Sequence, residues 1–414
     1  MKKNYLLKSV TVLSILSSVS VIGGNLSTAK AATNTPYATQ NKQNAIQNKQ
    51  AITFEDPAVK EGALLSLYEV LGRPASENDL TQENLNKVTK LAILGTTRFN
   101  TLNDVSKMPN LVYVGIQSTN IADVIDSKPL GELKNLKDFT FLQVGYYPSQ
   151  LTSLSPLAGK GLENVIIHSM PVLDNSENVF STMSKLNLLD VSYKENNKKA
   201  EVGNLDNLPN LTEIHLNGMN LSKAPTLKNS NQLEYVNFSD NNITSVPDLP
   251  QNENLWYVGM DRNSIKNYDN VKELIQSPSH PSISLQSNLL TSLPPFELPG
   301  LKKLDLSGNF IINKGLDYQH TIKPIPAQSV NVGQQKEINV GFEDENGHPL
   351  MFDLTNQQKE FLALDNMSVE TSNDNVTIEK GQNSISIKAN KKGNTTVSLA
   401  YQGELKTEFN VEVN

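Results

Sequence analysis

The 414-residue chain predicts an α/β leucine-rich-repeat solenoid with a helical pair at its N-terminal end and a β-sandwich after it. Three observations carry that prediction. An apolar triplet of the form L-x-x-L-x-L recurs ten times, its middle position falling at Leu91, Val114, Phe139, Val165, Leu189, Ile214, Val236, Val258, Ile283 and Leu304. The segment before the first triplet has helical spacing and capping residues. The segment after the last has short alternating strands punctuated by turns. A chain of this length is too long for one ordinary compact core, whereas a solenoid needs each turn to pack only on its neighbours.

The N-terminus comes first in order. Lys2, Lys3 and Lys8 precede an apolar run from Val10 to Ile22, and Ala29-Lys30-Ala31 supplies small residues for cleavage, so residues 1–31 read as a secretory signal peptide. Residues 32–50, rich in Asn, Gln, Thr and Lys, have nothing to bury and read as a disordered extension. The whole chain has a formal net charge of −7 and no clustered Lys or Arg, which argues against nucleic-acid binding. It has no cysteine, which excludes disulfides, thiol catalysis and cysteine-ligated metals. An exported chain without disulfides points to a bacterial surface or culture fluid. No later apolar stretch approaches the ~20 residues of a membrane span. The final residues, Phe409 to Asn414, show no apolar tail or basic stop, so a cell-wall anchor is not expected.

Residues 51–87 read as a helical cap. Asp56-Pro57 is an N-cap followed by proline at the first helical position. Ala58, Leu64, Leu65, Leu67, Val70 and Leu71 follow at helical spacing, and Gly72 ends the run. Thr81 caps a second short helix carrying Leu85 and Val88.

Residues 88–312 are the repeats. Middle apolar positions recur every 21 to 26 residues, which fits leucine-rich repeats and excludes helical-pair repeats of about 33 residues or more. Alternation at the second and third apolar sites makes a strand with one buried face. Asn241, Asn263, Asn288 and Asn309 stand three residues after the last apolar site of their turns, where an amide side chain can bond the neighbouring turn's backbone. Earlier turns place Thr119, Val144, Met170, Lys194 and Met219 there and are expected to be less regular. Return arms such as Leu151-x-x-Leu154-x-x-Leu157 suit 3₁₀ or extended segments.

Residues 313–414 alternate in short strands, including Ile338 to Phe342, Ser384 to Ile387, Thr396 to Tyr401 and Phe409 to Val413. Glu345-Asn346-Gly347, Lys392-Gly393-Asn394 and Gln402-Gly403 mark turns, and the spacing reads as a β-sandwich.

Residues between the apolar strand positions face the concave surface: Tyr113, His168, Asp190, Glu213, His215, Tyr235, Asn237, Tyr257, Asp261, Lys303 and Asp305, with Trp256 beside Tyr257. Tyrosine and tryptophan anchor protein interfaces. Tyr235 and Tyr257 hold the same slot on adjacent turns, and with Trp256 they form the expected centre of a partner site. His168, Asp190, Ser192 and His215 invite comparison with a zinc pair or a Ser/His/Asp set. The two histidines are two turns apart, however, and no oxyanion motif, HExxH or G-x-S-x-G accompanies them, so no enzyme is expected. The acidic loops Asp174-Asn175-Ser176-Glu177 and Glu343-Asp344-Glu345 offer oxygen ligands without EF-hand spacing. Calcium at Asp174, Asn175 and Glu177 is the one cofactor worth weighing; otherwise none is expected.

The order of parts resembles the bacterial (Listeria-type) internalin family. Ile52-Thr53-Phe54-Glu55-Asp56-Pro57-Ala58 and Leu80-Thr81-Gln82-Glu83-Asn84-Leu85, leading into Val88-Thr89-Lys90-Leu91, resemble that family's cap. Asn241-Asn242-Ile243 and Asn309-Phe310-Ile311 carry its N-x-I stamp. Regular 22-residue turns occur only around Leu211 to Leu255, and the usual wall-sorting signal is missing, so the likeness is to the family's released members. The resemblance implies an immunoglobulin-like C-terminal sandwich. It also implies a secreted, monomeric virulence factor that binds a host protein. An adhesion module for wall glycan or matrix is the alternative.

Overall fold

The computed structural model describes residues 51–144, 149–192, 199–292, 294–295, 303–311, 320–344, 367–381, 384–401 and 405–414. The expected signal segment, the extension, Lys194 and the turns at 345–347 and 402–403 lie outside them.

Ten strands form one parallel sheet in chain order: Lys90–Gly95, Tyr113–Ser118, Asp138–Gln143, Asn164–His168, Leu188–Ser192, Glu213–Asn217, Tyr235–Asn237, Tyr257–Gly259, Ser282–Ser284 and Lys303–Asp305. Each repeat contributes one strand, paired so that middle apolar residues stand opposite one another, as Leu91 with Val114 and Val236 with Val258. Because side chains alternate along a strand, that register sends one row of each turn into a continuous core and leaves the other row on the concave face. Nine of the ten middle residues are buried there, and Leu304 packs against the cluster from its edge. A long parallel sheet of one strand per turn, with no closed barrel, is a leucine-rich-repeat solenoid. The return arms include the 3₁₀ turns Asn103–Lys107, Ser155–Leu157 and Glu177–Thr182, but also two single-turn α-helices, Lys128–Glu132 and Val271–Ile275, which the spacing alone does not reveal.

The four ladder asparagines are buried and bond from turn to turn. Asn241 Oδ1 accepts the N–H groups of Met219 (3.1 Å) and Leu221 (3.0 Å), and its Nδ2 donates to the carbonyls of Leu216 (2.6 Å) and Phe238 (2.9 Å). Asn263 does the same for Ile243 (2.9 Å) and for the Phe238 and Met260 carbonyls (2.9 and 3.1 Å). Asn288 accepts from Ile265 (3.0 Å) and Asn309 from Leu290 (3.1 Å). These side chains satisfy backbone groups at the sharp bend after each strand, where no ladder partner exists.

Helix α1 spans Pro57–Leu71 and ends at Gly72, whose left-handed φ of 67° lets its N–H reach the Tyr68 carbonyl (2.9 Å). Asp56 does more than cap it. Its Oδ1 accepts from Ala58 (2.9 Å) and Val59 (3.1 Å), while Oδ2 accepts from Asn100 (2.6 Å) and Thr101 (3.1 Å) in the first return arm. Helix α2 is a single turn, Gln82–Leu85, with the Thr81 hydroxyl accepting from Asn84 (3.4 Å); Val88 lies past its end and is buried. Gly62 sets the closeness of α1 to the first strand. A Cβ there would lie 2.6 Å from the Ala92 carbonyl oxygen, a backbone atom that cannot swing aside. Gly62→Ala is expected to push the helix outward and cost about 2 kcal/mol in urea unfolding. An unchanged midpoint would show that the close approach contributes nothing.

Beyond the repeats, Gln328–Val330, Leu405–Val413, Gly393–Tyr401 and Met367–Thr371 form a four-stranded sheet, and Gln335–Asn339, Ser384–Ala389 and Val376–Lys380 a three-stranded one. The expected strand Ile338 to Phe342 is broken. Gln335–Asn339 stops before Val340, and Phe342–Asp344 pairs elsewhere, with His320–Ile322. Val330, Met367, Ile385, Ile387, Val397, Leu399, Phe409 and Val411 share an apolar cluster with Leu289 and Phe310 of the last turns. No helix among the described residues is long and apolar enough to cross a membrane.

Candidate functional site

The strand register sets two outward rows of the concave face. Glu213, Tyr235, Tyr257, Ser282 and Lys303 are neighbours in one row, and Asp190, His215, Asn237, Gly259, Ser284 and Asp305 in the next. Parallel strands hold such neighbours about 4.8 Å apart, which is near the distance at which flat rings stack. The rings use it. Tyr235 and Tyr257 stack with centroids 4.8 Å apart and planes at 19°, and His215 stacks on the other side of Tyr235 at 4.7 Å and 24°. Trp256 tilts against both tyrosines, at 5.1 Å from Tyr235 and 5.8 Å from Tyr257, and is 40% exposed. Burial, with Tyr257 adding to it, pushes the Tyr235 hydroxyl pKa up to about 12, so that hydroxyl keeps its proton at neutral pH.

Glycine makes room for this arrangement. A Cβ on Gly259 would lie 2.7 Å from Tyr257 Cε1, so the tyrosine ring lies along its own strand over the glycine two residues on. The same Tyr-Val-Gly sequence occurs at Tyr113, where a Cβ on Gly115 would meet the phenol oxygen at 2.1 Å. The outcome there differs from expectation. Tyr113 is only 6% exposed, and burial raises its pKa, so it is part of the packed face and is withdrawn from the exposed set.

Past the stack, polar side chains brace one another. Asn237 Oδ1 accepts the Ser239 N–H (3.1 Å) and hydroxyl (2.7 Å). Asp261 Oδ1 accepts the Ser284 hydroxyl and the Gln286 N–H (3.0 Å), while Gln286 Nε2 donates to Asp305 Oδ2 (2.9 Å). The Ser307 hydroxyl bonds Asp305 Oδ1 (2.7 Å). Burial raises the Asp261 pKa, opposed by the Ser284 and Gln286 hydrogen bonds. Ser239, Ser284, Gln286 and Ser307 were not singled out from the sequence, although their outward parity was readable there. Lys303 is placed in the tenth strand, in register with Ser282.

At the other end, His168 is the register partner of Ser192, and its Nε2 lies 2.8 Å from Asp190 Oδ1. That contact is close enough for an ion pair when the ring is protonated, but the ring N–H is not aligned for a hydrogen bond. His215 Nε2 is 3.8 Å from Glu213 Oε2. Among the described residues no hydrogen bond links the Ser192 hydroxyl to either imidazole, so the histidines, Asp190 and Ser192 do not form a nucleophile–base pair in this arrangement.

The loop weighed for calcium is otherwise engaged. Asp174 Oδ1 accepts the Ser176 N–H (3.2 Å) and hydroxyl, Ser176 Oγ accepts the Leu154 N–H (2.6 Å), and Glu177 is buried in a 3₁₀ turn. The described residues contain no group of three or more His, Asp or Glu side chains able to hold a metal ion. Asp174 thus braces the turn through Ser176, and Glu177 is buried within it.

No protein-family model matches the chain, and no curated protein matches its sequence. Solved structures do resemble it. Listeria monocytogenes InlP is 17% identical over 88% of this chain and 100% of its own, with a TM-score of 0.45. An internalin of the same organism, InlF, is 20% identical over 63% of this chain and 78% of its own, with a TM-score of 0.41. The internalin-like protein lmo2027 of Listeria monocytogenes is 15% identical over 88% of this chain and 99% of its own, with a TM-score of 0.36. These are likenesses of fold, and the leucine-rich-repeat assignment rests on the ten-stranded sheet itself.

Proposed function

We propose that this chain is a secreted bacterial leucine-rich-repeat protein of internalin type that binds a host protein through its concave face. The aromatic stack of His215, Tyr235 and Tyr257, with Trp256 beside it, carries the reading. Large rings held in fixed positions on a rigid sheet lose little freedom on binding, and Tyr and Trp dominate interface energetics. Asp190, Glu213, Asn237, Asp261, Lys303 and Asp305 form the polar surround, and His168 its far margin. Residues 51–87 act as the cap. Residues 313–414 act as an immunoglobulin-like spacer.

The test is capture from host-cell lysate by the purified chain. Tyr235→Ala and Tyr257→Ala are each expected to weaken the captured interaction by about 2 kcal/mol, roughly thirtyfold, with circular dichroism unchanged. Unchanged affinity moves the site off this face. Retention by purified cell wall with no enriched host protein favours the adhesion module instead.

A further inference from the structure

The charge around the aromatic stack is one-sided. Glu213 is the register partner of Tyr235, and Asp190 that of His215. Glu234 precedes Tyr235 in the chain and is half-buried, and its carbonyl accepts the Trp256 N–H (2.9 Å), so it lies one turn from the exposed indole. Asp261 follows Gly259 by two residues, on the far side of Tyr257. Among the described residues, the fifth to ninth strands themselves carry no Lys or Arg. The nearest arginine, Arg262, is already engaged: its Nη2 lies 2.6 Å from Asp240 Oδ2 and its Nε contacts the other carboxylate oxygen. Lys303 stands in the tenth strand, two strands beyond Tyr257.

Aromatic faces attract cations, the indole most strongly, and carboxylates beside an aromatic ring add to that attraction. The same surface repels an acidic partner and gives a neutral sugar no electrostatic advantage. Arginine suits it better than lysine. A guanidinium is planar and weakly hydrated, so it stacks on a ring while forking onto a carboxylate. We propose that this face recognises a basic, arginine-bearing segment of the protein partner, with a guanidinium against the Trp256 ring, Glu234 in register beside it, and the Glu213 carboxylate at the His215 end of the stack. This rests on the reading of the concave face as a protein-binding surface.

Trp256 is the chain's single tryptophan, so its emission reports this site without a label. The full chain is titrated with a synthetic Gly-Ser peptide carrying several arginines, with the same peptide carrying citrulline, and with chitin oligosaccharides. The arginine peptide alone is expected to give a saturable change in emission. Its affinity is expected to fall about tenfold or more as salt rises from about 0.05 to 0.5 M, and again in the Glu213→Gln, Glu234→Gln double variant. An equal response to the citrulline peptide, or none to the arginine peptide, overturns the proposal. A display library of random peptides, selected on the native chain and counter-selected on the Tyr235→Ala, Tyr257→Ala variant, separates the two levels. Enrichment of arginine-rich sequences supports the proposal. Neutral or acidic winners overturn the charge assignment while leaving protein binding standing. No enrichment, or a response to the oligosaccharide alone, overturns both.

Discussion

Replacing Asp56 by alanine should loosen the N-terminal end of the molecule more than any other single change near it, by about 4 kcal/mol. The carboxylate accepts four backbone N–H groups, two at the start of α1 and two in the first return arm, and is itself buried. Losing a helix N-cap costs about 1 kcal/mol. Leaving the Asn100 and Thr101 amides unpaired adds about 1–3 kcal/mol for each that stays buried. The Asp56 N–H also donates to Asp104 Oδ2 (2.7 Å), and Asp104 pairs with Lys107, so the joint is a small network. Asp56→Asn should fall between: one amide oxygen still accepts, but the NH₂ group then faces two donors. Amide hydrogen exchange across residues 57–71 and 99–107, together with urea unfolding, reads the effect. Protection unchanged in Asp56→Ala would mean that the helix is held by its apolar face alone.

The second large effect is expected from Asn263→Ala, about 3 kcal/mol. Alanine removes the acceptor for the Ile243 N–H and the donor shared by the Phe238 and Met260 carbonyls, all within a buried bend. Water cannot easily replace the amide there, so the groups lose their partners outright. Asn263→Asp should be no better at neutral pH, because it keeps an acceptor but buries a charge and loses the donors. Asn267→Ala is the comparison: that residue is exposed and, among the described residues, its side chain bonds only the local Asp269 N–H (3.3 Å), so less than about 0.5 kcal/mol is expected. Chemical denaturation of the three variants checks the ordering, and equal midpoints for Asn263→Ala and Asn267→Ala would remove the ladder from the account of stability.

Much of this fold was legible because its signals are periodic. Leucine-type residues at strand spacing announce each turn, and the four asparagines announce the bends, since each acts through a contact repeated from one turn to the next. The ring stack was legible to the level of shared slots, because strand spacing and ring-stacking distance nearly coincide. The burial of Tyr113 was not. It depends on how a ring folds over Gly115, and Tyr257 over Gly259 carries the same three-residue sequence while remaining half-exposed. The surroundings of the two strands decide the difference, and those come from the adjacent turns, Lys90 and Asp138 flanking Tyr113 where Tyr235 and Ser282 flank Tyr257. The break at Val340 was hidden for a similar reason: alternation marks a strand but not which partner it chooses.

The close seat of Gly62 on the Ala92 carbonyl has a consequence for self-association. A ten-stranded parallel sheet ends in two strands with unsatisfied hydrogen-bonding sides, and such a side is a template for any other extended chain. Helix α1 lies against the first of them with no side chain intervening at its closest point. A chain truncated to begin at Lys90 would present that side bare, and its natural complement would be the strand of another copy. The glycine therefore bears on whether the chain polymerises as well as on how tightly the helix packs.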